Sequence, residues 1–381
     1  MASSLDRTSL SSPPKRTTDE IYSTLSIWEG PWRNKQRFLQ SRGYMLRPRY
    51  HPDWIPSWRT SDASPFYAED GIAAPPREYL MDARRIADDV PVYIKQVKTG
   101  DNESHITSML SSEHLRQDPR NHSVPVFEMF PDDEDPGISY MVMPLLRLID
   151  EPKFDLVEEL IEFADQILEG LLFMHEQGVS HRDCTYKNLM MDASAMYPHG
   201  FHPVHSCFLP DGHTFAWPRR RTSVPVRYYF IDYGMSTYFP PGTYPRLVVG
   251  VEGRDQEVPE LSDDVPYDPF KVDIYIMGNL FRSMFYDKYS NVDFLVPFFH
   301  HMVLDDPEAR PDAVEVLRRW RIVRSTVSTL KKRWRLRPRD EPWPETVMYG
   351  AHTFLFAVVH FRKYVAATCA CIAALYYGML R

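Results

Sequence analysis

Cysteine is scarce in this chain. Its 381 residues include four cysteines, Cys184, Cys207, Cys369 and Cys371, and none belongs to a Cys-x-x-Cys pair or has histidines at the spacing of zinc ligands. The sequence therefore predicts neither a disulfide framework nor a structural zinc site. We expect the bulk of the chain to lie in a reducing, cytosolic compartment.

Neither a basic excess nor an N-terminal apolar run is present. The formal net charge is −8, which argues against nucleic acid as the main partner. The first twenty residues are polar, so we expect no signal peptide there. Residues 1–21 are too poor in apolar side chains to offset chain entropy and are predicted to be disordered.

Glycine is missing where a phosphate-binding loop would need it. No Gly-x-Gly-x-x-Gly precedes Tyr79, and Gly71 stands alone. Such loops let backbone N–H groups close over phosphates. After this point, residues 79–86 and 90–97 predict a β-hairpin, with Lys95 near its end. Residues 102–115 predict a helix, and residues 124–127 and 139–145 predict two more strands.

Aromatic residues are abundant between residues 22 and 58, in a Pro- and Arg-rich setting. They include Trp28, Trp32, Phe38, Tyr44, Tyr50, Trp54 and Trp58. One interpretation is an exposed aromatic and basic ligand surface. The favoured one is a long N-terminal segment packed onto the core, because tryptophan is rarely exposed in such numbers.

A long amphipathic helix, predicted from about residue 155, leads into His181-Arg182-Asp183-Cys184-Thr185-Tyr186-Lys187-Asn188. A second acid follows in Phe230-Ile231-Asp232-Tyr233-Gly234. Carboxylate and amide oxygens suit Mg²⁺, and a lysine can neutralise phosphates. The order Lys95, Asp183, Asn188, Asp232 is therefore typical of a phosphoryl-transfer site.

These motifs resemble those of a eukaryotic protein kinase domain, over about residues 42–321. His181-Arg182-Asp183 with Asn188 is similar to the kinase catalytic loop, and Asp232-Tyr233-Gly234 to Asp-Phe-Gly. Three further matches are Val258-Pro259-Glu260, Asp273 in an apolar helix, and Arg310 as the arginine that pairs with Glu260. The segment Arg42-Gly43-Tyr44 to Arg47-Pro48-Arg49-Tyr50 gives a narrower resemblance to kinase-like proteins of mushroom-forming fungi.

The resemblance implies an α+β, two-lobed protein-kinase-like fold within residues 22–321. A small β-rich lobe would cover about residues 42–143, and a larger helical lobe about residues 144–321. Residues 191–221, rich in His, Pro and Gly, are read as an insertion loop rather than a metal site.

The implied activity is ATP- and Mg²⁺-dependent phosphorylation of a protein hydroxyl, with Ser or Thr favoured over Tyr. Asp183 would be the catalytic base and Lys187 a further catalytic residue. Asn188 and Asp232 would bind the metal. Lys95, Met143 and Leu145 would bind ATP, with Met143 at the gatekeeper position. Glu103 and His105 both remain candidates for the helix partner of Lys95.

Two other functions stay open. Without a glycine-rich loop, the chain could be a pseudokinase that acts as a binding scaffold. A small-molecule phosphotransferase is a weaker alternative, because such enzymes generally lack the Pro-Glu segment and its arginine partner.

The C-terminal part combines basic and apolar segments. Residues 322–345 form a basic linker, and residues 346–381 form an apolar tail with an uncharged stretch at residues 364–380. Such a stretch is at the short limit for a membrane span. We predict a helical tail anchor that holds a cytosolic kinase domain at a membrane; a C-terminal helix packed on the domain is the alternative.

Overall fold

The computed structural model describes residues 16–342, which divide into two compact units. The first unit comprises residues 16–119, 123–147 and 190–234. The second comprises residues 120–122, 148–189 and 235–342.

Twelve strands and nine α-helices are found among the described residues. The strands are β1 (Tyr44–Met45), β2 (Leu80–Arg85), β3 (Pro91–Lys98), β4 (Glu128–Pro131), β5 (Ile138–Pro144), β6 (Arg147–Leu148), β7 (Val179–Ser180), β8 (Leu189–Asp192), β9 (Arg227–Phe230), β10 (Thr237–Tyr238), β11 (Val248–Gly250) and β12 (Ser262–Tyr267). The helices are α1 (Thr18–Ser23), α2 (Glu29–Ser41), α3 (Asn102–Leu110), α4 (Glu113–Arg116), α5 (Val157–Glu176), α6 (Pro269–Phe281), α7 (Val296–Phe299), α8 (Ala313–Thr326) and α9 (Thr329–Lys332).

The first unit is built on an antiparallel sheet of order β1-β2-β3-β5-β4. Alternation along β3 buries Val92 and Ile94 in the core and turns Tyr93 and Lys95 to the other face. That second face is called the lysine face below. Pairing of β2 with β3 and of β3 with β5 confirms the predicted hairpin and its third strand.

The prediction of a strand at residues 124–127 is wrong. The strand lies at β4, immediately after it. Val124 instead donates its backbone N–H to the carbonyl of Phe230 at 2.9 Å, in an isolated parallel bridge beside β9. The backbone N–H and C=O groups of a short apolar segment can bond to any neighbouring strand. Sequence periodicity does not identify which strand that is.

An irregular segment, residues 46–79, connects β1 to β2 and is called the wrap below. Its anchor is Arg49, which is 2 % exposed and bonds Glu29 of α2 from Nε to Oε1 at 2.8 Å. Arg49 also donates to the carbonyls of Tyr22, Thr24 and Asp70. Buried charges persist only when paired and hydrogen-bonded, and this guanidinium meets both conditions.

The N-terminal aromatic residues pack inward. Trp32, Tyr44, Tyr50 and Trp58 are buried. The indole N–H of Trp32 donates to the carbonyl of Glu78 at 3.0 Å, which satisfies its polar atom inside the core. This favours the packing interpretation over the ligand surface. Helix α1 begins at Thr18, inside the segment predicted to be disordered, because Thr17 and Glu20 form a capping box.

Residues 191–221 are largely irregular and belong to the first unit. Arg147 holds this insertion: it donates to the carbonyl of Ser206 at 2.5 Å, and its guanidinium lies over the rings of Tyr197 and Phe201. His202 bonds Glu69 of the wrap, with Nε2 3.3 Å from Oε1. The insertion and the wrap are therefore joined to each other within one unit.

The second unit is mainly helical. Aromatic residues of α5, α6 and α8 share one core, in which Phe281 contacts Phe163 and Trp320. The indole of Trp320 donates to Asp165 of α5 at 2.7 Å. Almost every residue of α6 is buried, as its apolar composition predicts. The short strands β7 and β10 pair antiparallel, as do β11 and β12.

A mixed architecture with a sheet-based unit and a helical unit fits a kinase-like fold. The predicted C-terminal tail, residues 346–381, lies outside the described residues. Among residues 16–342, none of the helices has the length and apolar character that crossing a membrane requires.

Candidate functional site

Lys95 lies in a cluster of opposite charges in the first unit. Its Nζ is 2.5 Å from Oε1 of Glu103, in the first turn of α3, and 2.9 Å from Oδ1 of Asp232, which follows β9. Burial alone would lower the pKa of Lys95, but attraction to Glu103 and Asp232 outweighs it and the pKa is raised. Lys95 therefore stays charged at neutral pH.

The partner of Lys95 is thus Glu103. The sequence offers Glu103 and His105 as candidates. Only one of them can face the lysine, because two positions along a helix are about 200° apart. The N-cap settles the helix phase: Asp101 accepts the backbone N–H of Ser104 at 2.8 Å, so α3 starts at Asn102. Glu103 then lies in the first turn beside β3.

Asp232 has a left-handed backbone, with φ of 65°. Non-glycine residues in that region are strained by about 1–3 kcal/mol, and such strain is concentrated at functional sites. The side chain of Asp232 is 48 % exposed. A half-exposed carboxylate beside a charged lysine has the donor chemistry of a Mg²⁺ ligand.

Tyr93 alters the lysine face. It stands in Val92-Tyr93-Ile94-Lys95 where kinases have the alanine of Val-Ala-Ile-Lys. Its hydroxyl donates to the carbonyl of Pro203 in the insertion at 3.3 Å, and burial raises its pKa to about 12. Sequence reasoning did not single out Tyr93, although a tyrosine in place of the motif's alanine is visible in the sequence.

Met143 and Leu145, both predicted to bind ATP, lie at and just beyond the end of β5. Met143 is opposite Tyr93 in the β3–β5 register. Leu145 is 8 % exposed and donates its backbone N–H to the carbonyl of Pro91 at 3.3 Å. The structure thus places both residues in the first unit, with Met143 beside the substituted tyrosine.

Asp183 and Asn188 meet in the second unit. Nδ2 of Asn188 donates to Oδ2 of Asp183 at 2.7 Å and to its carbonyl at 2.8 Å. Oδ1 of Asn188 accepts no hydrogen bond from the described residues, so it is suited to a hard cation. Asp183 is 6 % exposed, and its Oδ1 accepts the backbone N–H of Arg254 at 3.0 Å.

The side chain of Lys187 does not contact Asp183. Its side chain is exposed, and its Nζ lies 5.0 Å from the ring centroid of Tyr186. Among the described residues it makes no hydrogen bond to Asp183. Arg254, which sequence reasoning missed, contacts Asp183 instead. It lies 71 residues further along the chain, a separation that no periodicity or short motif connects.

The backbone at residues 181–182 is fixed by Asp273 of α6, which is fully buried. Its carboxylate accepts the backbone N–H groups of His181 at 2.8 Å and Arg182 at 2.6 Å. It also accepts the hydroxyl of Ser180 and contacts Nε2 of His175. Burial opposes its charge, but these bonds and the nearby histidines lower the pKa of Asp273.

Arg182 shares the strained geometry seen at Asp232, with φ of 64°. Asp273 holds its backbone N–H, and its guanidinium donates to the carbonyl of Val249 and the hydroxyl of Tyr267. Three non-glycine residues among residues 16–342 have positive φ; Arg182 and Asp232 are two of them.

A second buried charge pair lies in the helical unit. Arg310 is fully buried, and its two Nη atoms contact the two carboxylate oxygens of Glu260 at 2.5 and 2.8 Å. The fork geometry of arginine matches a carboxylate in this bidentate way. The pairing that the resemblance implied for Glu260 and Arg310 is therefore present.

Comparison with known proteins gives one weak relationship to report, and no family model matches the chain. Over 143 residues, the chain is 24 % identical to a probable casein kinase II subunit alpha homolog of Encephalitozoon cuniculi. The match covers 38 % of this chain and spans about a third, 33 %, of the length of that relative. Together with the architecture, it supports a protein-kinase-like domain.

Proposed function

We propose that this chain is a protein kinase that transfers the γ-phosphoryl group of ATP to a protein hydroxyl. The observation that carries the proposal is the contact of Lys95 with both Glu103 and Asp232. In protein kinases a lysine–glutamate ion pair and a metal-binding aspartate must both be in place for activity. The Glu260–Arg310 pair supports a protein rather than a small-molecule substrate.

Each residue has a proposed role. Asp183 would take up the proton of the attacking hydroxyl, and Asn188 holds that carboxylate in one orientation. Lys95 would neutralise phosphate charge, and Met143 and Leu145 would contact the base. Asn188 and Asp232 offer oxygen ligands to Mg²⁺, which when bound supplies charge neutralisation at the phosphates. Lys187 is exposed and available to a substrate hydroxyl rather than to Asp183.

The test compares Asp183→Asn with Asp232→Asn in the full chain. Removing the base should lower autophosphorylation by about 10²–10⁴-fold while ATP–Mg²⁺ binding persists. Removing the metal ligand should abolish the Mg²⁺ dependence of ATP binding as well. Asp263→Asn, an exposed acid on β12, serves as the matched control and should change neither quantity. Transfer that proceeds equally in wild type and Asp183→Asn would contradict the proposal.

A second candidate is a nucleotide-independent binding scaffold. Tyr93 and its bond to Pro203 favour it, because they add bulk to the lysine face where kinases carry alanine. The wrap also replaces a glycine-rich loop. Titration of the folded wild-type chain with ATP–Mg²⁺ separates the two functions. A chain that is folded by circular dichroism and shows no heat of binding up to millimolar ATP is a scaffold.

The tail anchor remains a prediction from sequence. Fractionation of cells expressing the chain with and without residues 365–381 tests it. The full chain should sediment with membranes and the shortened one should not. An equal soluble pool for both would contradict a membrane role of this tail.

A further inference from the structure

The first unit contains a cavity that shares one residue, Leu145, with the proposed phosphoryl-transfer site. Its volume is about 560 Å³, in the size range of roughly 300–1,000 Å³ typical of small-molecule sites. Residues of β1, β2, the wrap and the insertion line it, and its wall is mainly apolar. Lys95, Glu103 and Asp232 are not among the lining residues.

The cavity exists because two irregular segments cover one end of the sheet. Trp54 of the wrap lines it, as do Phe201 and Pro203 of the insertion. The bond from His202 to Glu69 joins the two covering segments at the cavity wall. Rings and prolines of this kind are rigid, so they keep an apolar space open at small entropic cost.

A buried carboxylate with an open acceptor faces this apolar space. Asp82 lines the cavity and is 6 % exposed. Its Oδ2 accepts Nε of Arg47 at 2.9 Å, whereas its Oδ1 accepts no hydrogen bond from the described residues. This oxygen can therefore accept a hydrogen bond from a bound ligand, and hydrogen bonds to a charged carboxylate are stronger than those between neutral groups.

The charges around Asp82 favour a cation. The side chain of Arg47, which lines the cavity, is 9 % exposed, and its donors are already directed to Asp82, Glu69, the carbonyl of Ile72 and the hydroxyl of Tyr50. Glu69 adds a second negative charge on the wall and has only long contacts, of 3.5 Å to Arg47 and 3.3 Å to His202. Arg84, also on the wall, is exposed and paired with Asp89. One arginine thus faces two acids.

We propose that this cavity binds a small molecule with an apolar, ring-containing body and a protonated amine that bonds Asp82. The body would fill the space beside Trp54 and Phe201, and the ammonium would donate to Oδ1 of Asp82. This site is separate from the Lys95 cluster, so the proposal does not depend on kinase activity. Leu145 lines the cavity, so a bound ligand would contact a residue that is also proposed to contact ATP.

Three probes with one apolar body test the charge preference: naphthylethylamine, naphthylethanol and naphthylpropionate. We expect calorimetry or ligand-observed NMR on the full chain to show binding of the amine. The alcohol should bind about tenfold more weakly, and the carboxylate should bind least, because hydrogen bonds to charged groups are worth about tenfold or more in affinity. Equal affinities, or preference for the carboxylate, would overturn the proposal.

Two variants locate the site. Asp82→Asn keeps the shape of the side chain and should weaken the amine by about tenfold, with Asp62→Asn, an exposed acid of the wrap, as the unchanged control. His51→Trp adds bulk at an exposed lining position and should remove binding of all three probes without unfolding the chain.

A third variant distinguishes binding in this cavity from binding at the proposed phosphoryl-transfer site. Asp232→Asn should leave amine binding unchanged, because Asp232 does not line the cavity. Amine binding that survives His51→Trp, or that is lost in Asp232→Asn, would show that the probe sits elsewhere and would overturn the proposed site. Thermal unfolding of each variant verifies that the chain tested is folded.

Discussion

The two units differ in how their candidate groups are held. In the second unit, Asp273 fixes the backbone of the loop that begins at His181, and the sequence of this loop resembles the kinase pattern closely. In the first unit, Lys95 matches the pattern, but the surroundings depart from it: the wrap replaces a glycine-rich loop, and the insertion covers Tyr93. The helical unit thus holds its loop by buried hydrogen bonds, whereas the sheet unit combines the Lys95–Glu103 ion pair with a wrap and an insertion that the kinase pattern lacks.

The largest expected effect is on the loop of the second unit. Asp273→Ala leaves the N–H groups of His181 and Arg182 buried without an acceptor, so we expect a loss of about 3–5 kcal/mol in the free energy of unfolding. Hydrogen exchange resolved by segment should show lost protection at residues 179–189. Asp263→Ala, on exposed β12, is the control. If hydrogen exchange at residues 179–189 is unchanged in Asp273→Ala, Asp273 does not hold this loop rigid.

Acid should weaken the anchor of the wrap. Burial would raise the pKa of Glu29, but hydrogen bonds from Arg49 and Ser26 outweigh it and lower the pKa from 4.5 to about 2. Because the folded pKa is lower than the unfolded one, this stabilisation is complete above pH 4.5 and is lost as the pH falls towards 2. We expect about 3 kcal/mol to disappear over that interval in urea unfolding.

Glu29→Gln provides the control for this pH effect. The variant lacks the titrating group, so its stability should be lower at neutral pH and should change less between pH 4.5 and 2. Parallel pH profiles in wild type and Glu29→Gln would show that the wrap does not depend on this ion pair.

Substitution of Tyr93 tests whether its ring on the lysine face limits ATP binding. Tyr93→Ala restores the alanine of the resembled motif and removes a half-buried ring. We expect it to cost about 2 kcal/mol of stability and to raise the affinity for ATP. Tyr93→Phe keeps the ring and loses only the bond to Pro203, so ATP affinity should stay near that of wild type. If Tyr93→Ala binds ATP no better than Tyr93→Phe, the ring does not limit nucleotide access.

The smallest effect is expected at Arg254. Its guanidinium is 61 % exposed and lies 3.7 Å from Asp183, whereas its backbone N–H makes the closer contact. Arg254→Ala retains that backbone bond and should change the free energy of unfolding by less than about 0.5 kcal/mol. A loss of several times that value would mean that the side chain, rather than the backbone, positions Asp183.

The sequence predicted the helical unit better than the sheet unit, for a physical reason. The long helix before His181, the buried helix around Asp273 and the Glu260–Arg310 pair depend on local periodicity and on short motifs. The wrap depends on contacts across long separations, such as Arg49 with Glu29 and Trp32 with Glu78, which no periodicity encodes. For the same reason the strand at residues 124–127 was misplaced.

Within the candidate site, residue types were predictable and their partners were not. Lys95, Asp183, Asn188 and Asp232 follow from motif order. The choice of Glu103 over His105 required the start of α3, which is set by a cap on Asp101. Arg254 contacts Asp183 in the second unit, and Pro203 contacts Tyr93 in the first. Both come from loops whose paths are set by tertiary packing, so these contacts could be found only in the folded chain.

The Arg49 anchor has a practical consequence for choosing fragments of this protein. The motifs begin to resemble a kinase near residue 42, and a fragment that starts there would omit Glu29 and the carbonyls of Tyr22 and Thr24. It would carry a buried arginine with no counter-charge. The smallest fragment expected to express in folded form therefore begins at or before Thr17, well ahead of the first recognisable motif.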